Sequence, residues 1–361
     1  MNILTVYGTR PEFIRLSVII RELDSYSDQT LVHTGQNWDP NLSDIFFRDL
    51  ELRSPDVRMD IQSHDFPDQL GAMMGGLSDA IDSANPDRIL ILGDTNSSLA
   101  ASIIAARKMI PTYHLEAGNR CHDPRVPEEI NRRIIDHCTT ISMPYTYRSK
   151  ENLIKEGIDR RNIFVTGNPI NEVLNMYANK INLSNALSRL SLESKNYILV
   201  TAHRSENVDD RIRLVSLLEG LNKARLEYSK PVVISLHPRT KDKMDKWGLT
   251  EQYPELQYCA PFGFMDFVNL EKNALCVITD SGTVQEECCI LGVPNITIRD
   301  TTERPETIEC GSNMLVGANP NLMLDGVKAV IETPSQWTPP SEYTENHVSR
   351  TVRNIVLGYT D

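Results

Sequence analysis

Two doubly wound α/β domains in tandem are the fold this sequence predicts, and three observations predict it. Short β-branched runs alternate with helical stretches from the first residues onward, the spacing of parallel strands joined by crossover helices. The pattern stops at Gly167-Asn168-Pro169 and then starts again. A length of 361 residues suits two domains of ordinary size better than one large one.

The first series opens with strands over 3–7, 30–33, 88–92, 112–115 and 140–143, each rich in apolar and β-branched residues. Helices are expected over 11–23, 66–84, 96–107 and 127–138, and Pro11 suits a first helical position, where a missing N–H costs nothing. The second series has strands over 197–201, 232–236, 256–259, 276–279, 295–298 and 313–316. Its clearest helices run over 211–228 and 284–291, the latter closed by Gly292. A proline-bearing stretch at 337–343 breaks the rhythm before a last helix over 347–357. There is no internal repeat and no low-complexity segment.

Thirty-seven basic against 49 acidic residues give a net charge of −12. That balance argues against a broad nucleic-acid or anionic-membrane footprint, yet leaves room for a small anion held by a few placed arginines. No apolar run approaches the roughly 18–20 residues of a membrane span. The N-terminus reads as a strand instead of a signal peptide. Seven cysteines, including adjacent Cys288 and Cys289, match no zinc or disulfide spacing. A reduced, cytoplasmic enzyme or binding protein without a metal is the expectation.

Ligands of open parallel sheets bind beyond the carboxyl ends of the strands, so the residues just after each strand carry the information. Gly8-Thr9-Arg10-Pro11-Glu12 joins a strand to a helix, and its amides with Arg10 suit an anion. A capped turn with a surface arginine is the plainer alternative. Asp94, Glu116 and Glu128 are carboxylates brought by successive elements. One such group is more often a cap or an ion-pair partner; three together raise the case for acid–base work. His203 and His237 hold equivalent places after strands of the second half. For each, a neutral hydrogen-bonded histidine is as reasonable as catalysis, and neither has metal-ligand spacing. Asp280-Ser281-Gly282-Thr283 ends one strand and opens a helix whose first amides suit a phosphate, with Glu287 a turn further on for a ribose diol. The charged loop 299–306 also follows a strand end.

Any one of these motifs is weak, but their order is specific. Gly8-Thr9-Arg10-Pro11-Glu12, Gly93-Asp94-Thr95, His114-Leu115-Glu116-Ala117-Gly118, Pro127-Glu128-Glu129-Ile130-Asn131-Arg132, His203-Arg204, Asp280-Ser281-Gly282 with Gln285-Glu286-Glu287, and Arg299-Asp300-Thr301-Thr302-Glu303-Arg304-Pro305-Glu306 occur in sequence. The series resembles the non-hydrolysing UDP-N-acetylglucosamine 2-epimerases along nearly the whole chain. The resemblance implies a glycosyltransferase-B-like architecture of two Rossmann-like domains facing across a cleft. It places an N-terminal domain with the carboxylates at 1–168, a UDP-binding domain at 169–345, and a helix at 346–361 packing back on the first domain. It implies a UDP-sugar substrate, no cofactor, and a homodimer. Catalytic positions then fall on Asp94, Glu116, Glu128 and His203. UDP or substrate positions fall on Arg10, Arg132, His237, Phe262, Ser281, Gly282, Thr283, Glu287 and Arg304.

Departures from the family pattern matter too. Arg15 stands where the family often has Lys, Thr283 where it has Gly, and Gln36-Asn37 where bacterial members carry Gln-His at an activator site. The run 116–121, continuing to Arg125-Val126-Pro127, is most similar to the branch that forms UDP-N-acetyl-L-fucosamine from UDP-2-acetamido-2,6-dideoxy-L-talose. The alternatives are a UDP-N-acetylglucosamine 2-epimerase, a glycosyltransferase of the same fold, a hydrolysing epimerase and a nucleotide-sugar sensor.

Overall fold

The computed structural model describes residues 1–36, 49–59, 61, 65–332 and 336–359. Their contacts divide into two compact units, Met1–Asn175 with Ser341–Asp361, and Met176–Pro340. The first crossing lies later than the junction expected at 168/169, and the return lies earlier than 346.

The first unit holds a six-stranded parallel sheet: β1 (Asn2–Tyr7), β2 (Asp28–His33), β3 (Val57–Arg58), β4 (Arg88–Leu92), β5 (Thr112–Leu115) and β6 (Ile141–Met143). Its order is β3-β2-β1-β4-β5-β6. The second unit repeats the design with β7 (Ile198–Thr201), β8 (Val232–Ser235), β9 (Gln257–Cys259), β10 (Cys276–Thr279), β11 (Asn295–Thr297) and β12 (Asn313–Leu315). Its order, β12-β11-β10-β7-β8-β9, is the same winding read from the other edge. In each sheet the chain winds one way from the first strand and the other way from the fourth. The crevice between β1 and β4, and that between β7 and β10, are therefore the switch points where ligands of such sheets bind.

Central strands are buried on both faces, as parallel sheets require. Leu4, Val6, Ile89 and Ile91 pack with Leu77 and Leu99 of the helices Phe66–Ala84 and Asn96–Arg107. Ile198, Val200, Ile278 and Ile296 pack with Leu214 and Leu218 of Arg211–Tyr228 and Met323 of Pro320–Glu332. The last helix, Val348–Gly358, lies on the helix Arg10–Asp24 within the first unit. Arg353 pairs with Glu22, Arg88 donates to the Val356 carbonyl, and the Tyr113 hydroxyl reaches the Tyr359 carbonyl at 2.6 Å.

β3 is the strand the sequence reading missed, and its two residues are too short to show any periodicity. Strand β2 begins at Asp28, earlier than expected, because polar edge residues carry little apolar signal. The helix Gly282–Leu291 likewise begins earlier than 284, with Ser281 as its N-cap. Among the described residues no helix is long and apolar enough to cross a membrane.

Candidate active site

At the switch point of the first sheet, β1 runs into Gly8, where a Cβ would stand 2.1 Å from Ser97 Oγ and 2.3 Å from Thr34 Oγ1. Only glycine fits that approach. Thr9 caps the helix Arg10–Asp24, and Arg10 is its first residue, half-buried. Buried Glu12 reaches back to accept the Gly8 and Thr9 amides at 3.0 and 2.7 Å. Its other oxygen accepts the Thr95 hydroxyl at 2.8 Å. Glu12 thus ties the turn after β1 to the turn after β4. Burial pushes its carboxyl up to about 7, against the opposing pull of these hydrogen bonds.

Asp94 and Glu116 follow β4 and β5, which pair with Leu92 beside Leu115. Each carboxylate is held by a buried arginine. Asp94 accepts Arg132 Nε at 3.2 Å and Nη2 at 2.6 Å, while Arg132 Nη1 donates to Glu129 at 3.0 Å. Glu116 pairs with Arg15 and also accepts Asn119 Nδ2 at 3.2 Å. The Glu116 backbone has φ +68°, a left-handed conformation that strains a residue with a side chain and is found preferentially at functional sites. Glu128 is half-buried in the first turn of the helix Pro127–Cys138, and its neighbour Glu129 is the inward-facing residue.

Beneath these loops lies a fully buried brace. His114 Nδ1 is 2.9 Å from Asp136 Oδ1 and its Nε2 is 2.8 Å from the Gly93 carbonyl. Asp136 also accepts the Gly118 amide at 3.1 Å and pairs with Arg120 at 2.8 Å. Burial raises the Asp136 pKa, but the bonds from His114 and Arg120 outweigh it and hold the carboxyl below its ordinary value. The turn carrying Asp94 and the one carrying Glu116 are therefore anchored to one group. Gln36 serves locally: its Oε1 accepts both the amide and the hydroxyl of Ser97 at 3.0 Å. Asn37, the other half of that departure, lies outside the described residues.

In the second unit, fully buried Asp280 organises the switch point. It accepts the His203 and Arg204 amides at 2.9 and 3.0 Å and Asn207 Nδ2 at 3.0 Å. His203 Nδ1 stands 3.2 Å from its carboxylate, which leaves Nε2 on the outer edge of the ring. The His237 ring lies 5.4 Å from that of His203, and its Nδ1 accepts the Arg239 amide at 3.2 Å.

The Ser281 amide donates to Thr279 Oγ1 at 3.0 Å. Of the amides at this helix start, that of Ser281 is thus already engaged within the chain. At Gly282 a Cβ would lie 2.7 Å from Glu303 Oε1, so the Glu303 carboxylate packs closely over the start of the helix. The loop 299–306 docks on this helix and is not a solvated face. Arg299 donates to Glu303 at 2.8 Å, Arg304 pairs with Glu286, and Thr302 donates to Gln285 at 2.7 Å. Glu287 is buried one turn into the helix. Phe262 lines a depression of about 490 Å³ with Leu190, Cys259, Pro261 and Asp266.

Arg15, Glu129 and Asp136 escaped the sequence reading as site residues. Only the Glu129-to-Arg132 spacing, one helical turn, carried a readable signal. Arg15 meets its partner across about a hundred residues of chain.

Two Rossmann-like units of identical winding, with their polar groups at both switch points, are the architecture of the glycosyltransferase-B class of nucleotide-sugar proteins. A family model described as UDP-N-acetylglucosamine 2-epimerase matches residues 21–357. The chain is 38% identical over 348 residues to the UDP-N-acetylglucosamine 2-epimerase of Methanocaldococcus jannaschii, covering 94% of this chain and 95% of that one. It is 37% identical to the UDP-2,3-diacetamido-2,3-dideoxy-D-glucuronate 2-epimerase of Pseudomonas aeruginosa, covering 91% and 92%. A crystal structure of the M. jannaschii enzyme with UDP-GlcNAc and UDP superposes with a TM-score of 0.94 at 37% identity, over 99% of this chain and all of that one. The chain belongs to the UDP-N-acetylglucosamine 2-epimerase family. It is an isomerase of UDP-sugars, acting at C2.

Proposed function

We propose that the substrate is UDP-2-acetamido-2,6-dideoxy-L-talose and the product UDP-N-acetyl-L-fucosamine, a building block for surface polysaccharide. C2 of a nucleotide sugar has no neighbouring carbonyl, so simple deprotonation would leave an unstabilised carbanion. Loss of the C2 proton to a carboxylate while the C1–O bond breaks, its electron pair leaving with UDP, gives a glycal instead. Return of a proton to the opposite face of C2, with UDP oxygen re-adding at C1, completes the inversion. Asp94, Glu116 and Glu128 are the proton-handling groups in this reading, and the arginines beside Asp94 and Glu116 hold two of them in place. Arg10, the amides from Gly282 to Val284 and His203 are the groups for the diphosphate, with Glu287 for the ribose and Phe262 for the base.

The observation that bears on the sugar is where the arginines of the variable segment 119–126 go. Arg120 pairs with Asp136 and Glu156, and Arg125 pairs with Asp123. Both guanidinium groups are thus engaged by carboxylates of this chain, a pattern that fits an uncharged C6 better than a uronate. Between a methyl and a hydroxymethyl group, a site built for a hydroxyl leaves polar groups unpaired when it is missing, whereas an apolar site rejects an added hydroxyl by only about 10²-fold. The comparison of kcat/KM for the L-talo substrate and UDP-N-acetylglucosamine decides. Faster turnover of the L-talo sugar supports the proposal, and preference for UDP-N-acetylglucosamine replaces it with the second reading, which the M. jannaschii relative favours.

A further inference from the structure

Helix Phe264–Asn273 places Glu271, fully buried, against the helix Gly282–Leu291 that carries Glu287. Its Oε1 accepts the Cys288 thiol at 3.1 Å. Its Oε2 has no hydrogen-bond donor, and the group within hydrogen-bonding reach of this carboxyl is that of Glu287. Two carboxylates facing each other away from water cannot both be ionised, and one proton between them supplies the missing donor.

Two other titratable side chains beside Glu271 are engaged with backbone carbonyls. Lys195 donates to the Lys272 and Ala274 carbonyls at 2.8 and 3.0 Å. The Tyr197 hydroxyl donates to the Leu270 carbonyl. Full burial and an Oε2 without a donor mark Glu271 as the place for that proton, and burial first, then the charge of Glu287, pushes its carboxyl well above the ordinary range.

We propose that Glu271 is a positioning residue for nucleotide binding: as a carboxylic acid it donates a hydrogen bond to Glu287 and fixes the other Glu287 oxygen toward the ribose diol of UDP. The inference rests on the reading of Glu287 as the ribose acceptor. A single buried proton would then set how firmly the nucleotide is gripped while C1 and C2 react. Glutamine can imitate this arrangement, since its amide donates to Glu287 and its carbonyl accepts from Cys288. Leucine fills a similar volume and does neither.

The test measures UDP affinity by calorimetry, KM and kcat in the full chain for Glu271→Gln, Glu271→Leu and Glu287→Gln, with infrared spectra of the wild type and Glu271→Gln at neutral pH. The wild-type minus Glu271→Gln difference spectrum should show a carboxylic-acid carbonyl band, over and above the signal that Glu12 gives in both proteins. With one oriented hydrogen bond at stake, Glu271→Leu should lose about 5- to 15-fold in UDP affinity and KM with kcat within about 2-fold, while Glu271→Gln stays within about 3-fold of wild type. A difference spectrum without the band, or Glu271→Leu with unchanged affinity, overturns the proposal. Unchanged affinity in Glu287→Gln would instead remove the ribose reading beneath it. If Glu271→Leu does not fold, the band and Glu271→Gln decide: loss of UDP affinity in Glu271→Gln as large as in Glu287→Gln also overturns it.

Discussion

The two units share one winding and differ in how they make their switch points polar. In the first, full charges are paired: Glu116 with Arg15 and Asp136 with Arg120 are buried, and half-buried Asp94 meets buried Arg132. In the second, backbone amides at a helix start, a histidine set by Asp280 and a docked loop prepare a surface for an anion. The contrast fits the tasks proposed for the two units. Proton transfer needs carboxylates whose direction is fixed before the substrate arrives, and ion pairs can do that. A diphosphate brings its own charge and needs only preset donors.

The contrast can be broken hardest at Arg15. Arg15→Met should leave Glu116 buried without its cation and destabilise the protein by about 3–5 kcal/mol, with Arg15→Lys recovering much of the loss. Denaturant unfolding of both variants checks it. Equal stability of wild type and Arg15→Met would mean that the pair does not organise the first unit.

Next comes Glu12, whose folded pKa of about 7 lies above that of an unfolded glutamate. The folded state holds this proton more tightly, so the associated stability is complete below the unfolded pKa and lost as pH rises through about 7. Between about pH 4.5 and 7 the loss should be on the order of 3 kcal/mol and absent from Glu12→Gln. Unfolding curves across that window that run parallel for both proteins would contradict it.

A smaller effect sharpens the comparison, since Arg10 is the anion-binding group proposed on the first unit. Arg10→Ala should weaken UDP binding by about 1.5–3 kcal/mol, the range for a hydrogen bond to a charged group. Calorimetry with unchanged affinity in the folded variant would leave nucleotide binding to the second unit.

Much of this was legible in the sequence because strand-end residues sit beside strong periodic signals. Gly8, Asp94, Glu116, His203 and Gly282 all lie within a few residues of a readable strand. Their partners do not. Arg15 looks like an ordinary residue of an amphipathic helix, Asp136 like a polar residue late in another, and Glu271 like a surface glutamate. Each acquires its role from a neighbour brought by the fold, a relation that local pattern cannot carry. The charged loop 299–306 shows the same limit: its place after a strand argues against a solvated face, but its partners Glu286 and Gln285, beside which Arg299, Glu303 and Arg304 are buried, come from the fold.

The central claim is that the ion-paired carboxylates of the first unit move the C2 proton. Its most direct test is deuterium incorporation at C2 in deuterated water, followed by NMR for the wild type and Glu116→Gln at saturating UDP-2-acetamido sugar. The wild type should place deuterium at C2 as it epimerises, and Glu116→Gln should slow that exchange by roughly 10²–10⁴ while still binding UDP. Epimerisation without deuterium at C2, or full exchange in Glu116→Gln, would contradict the account.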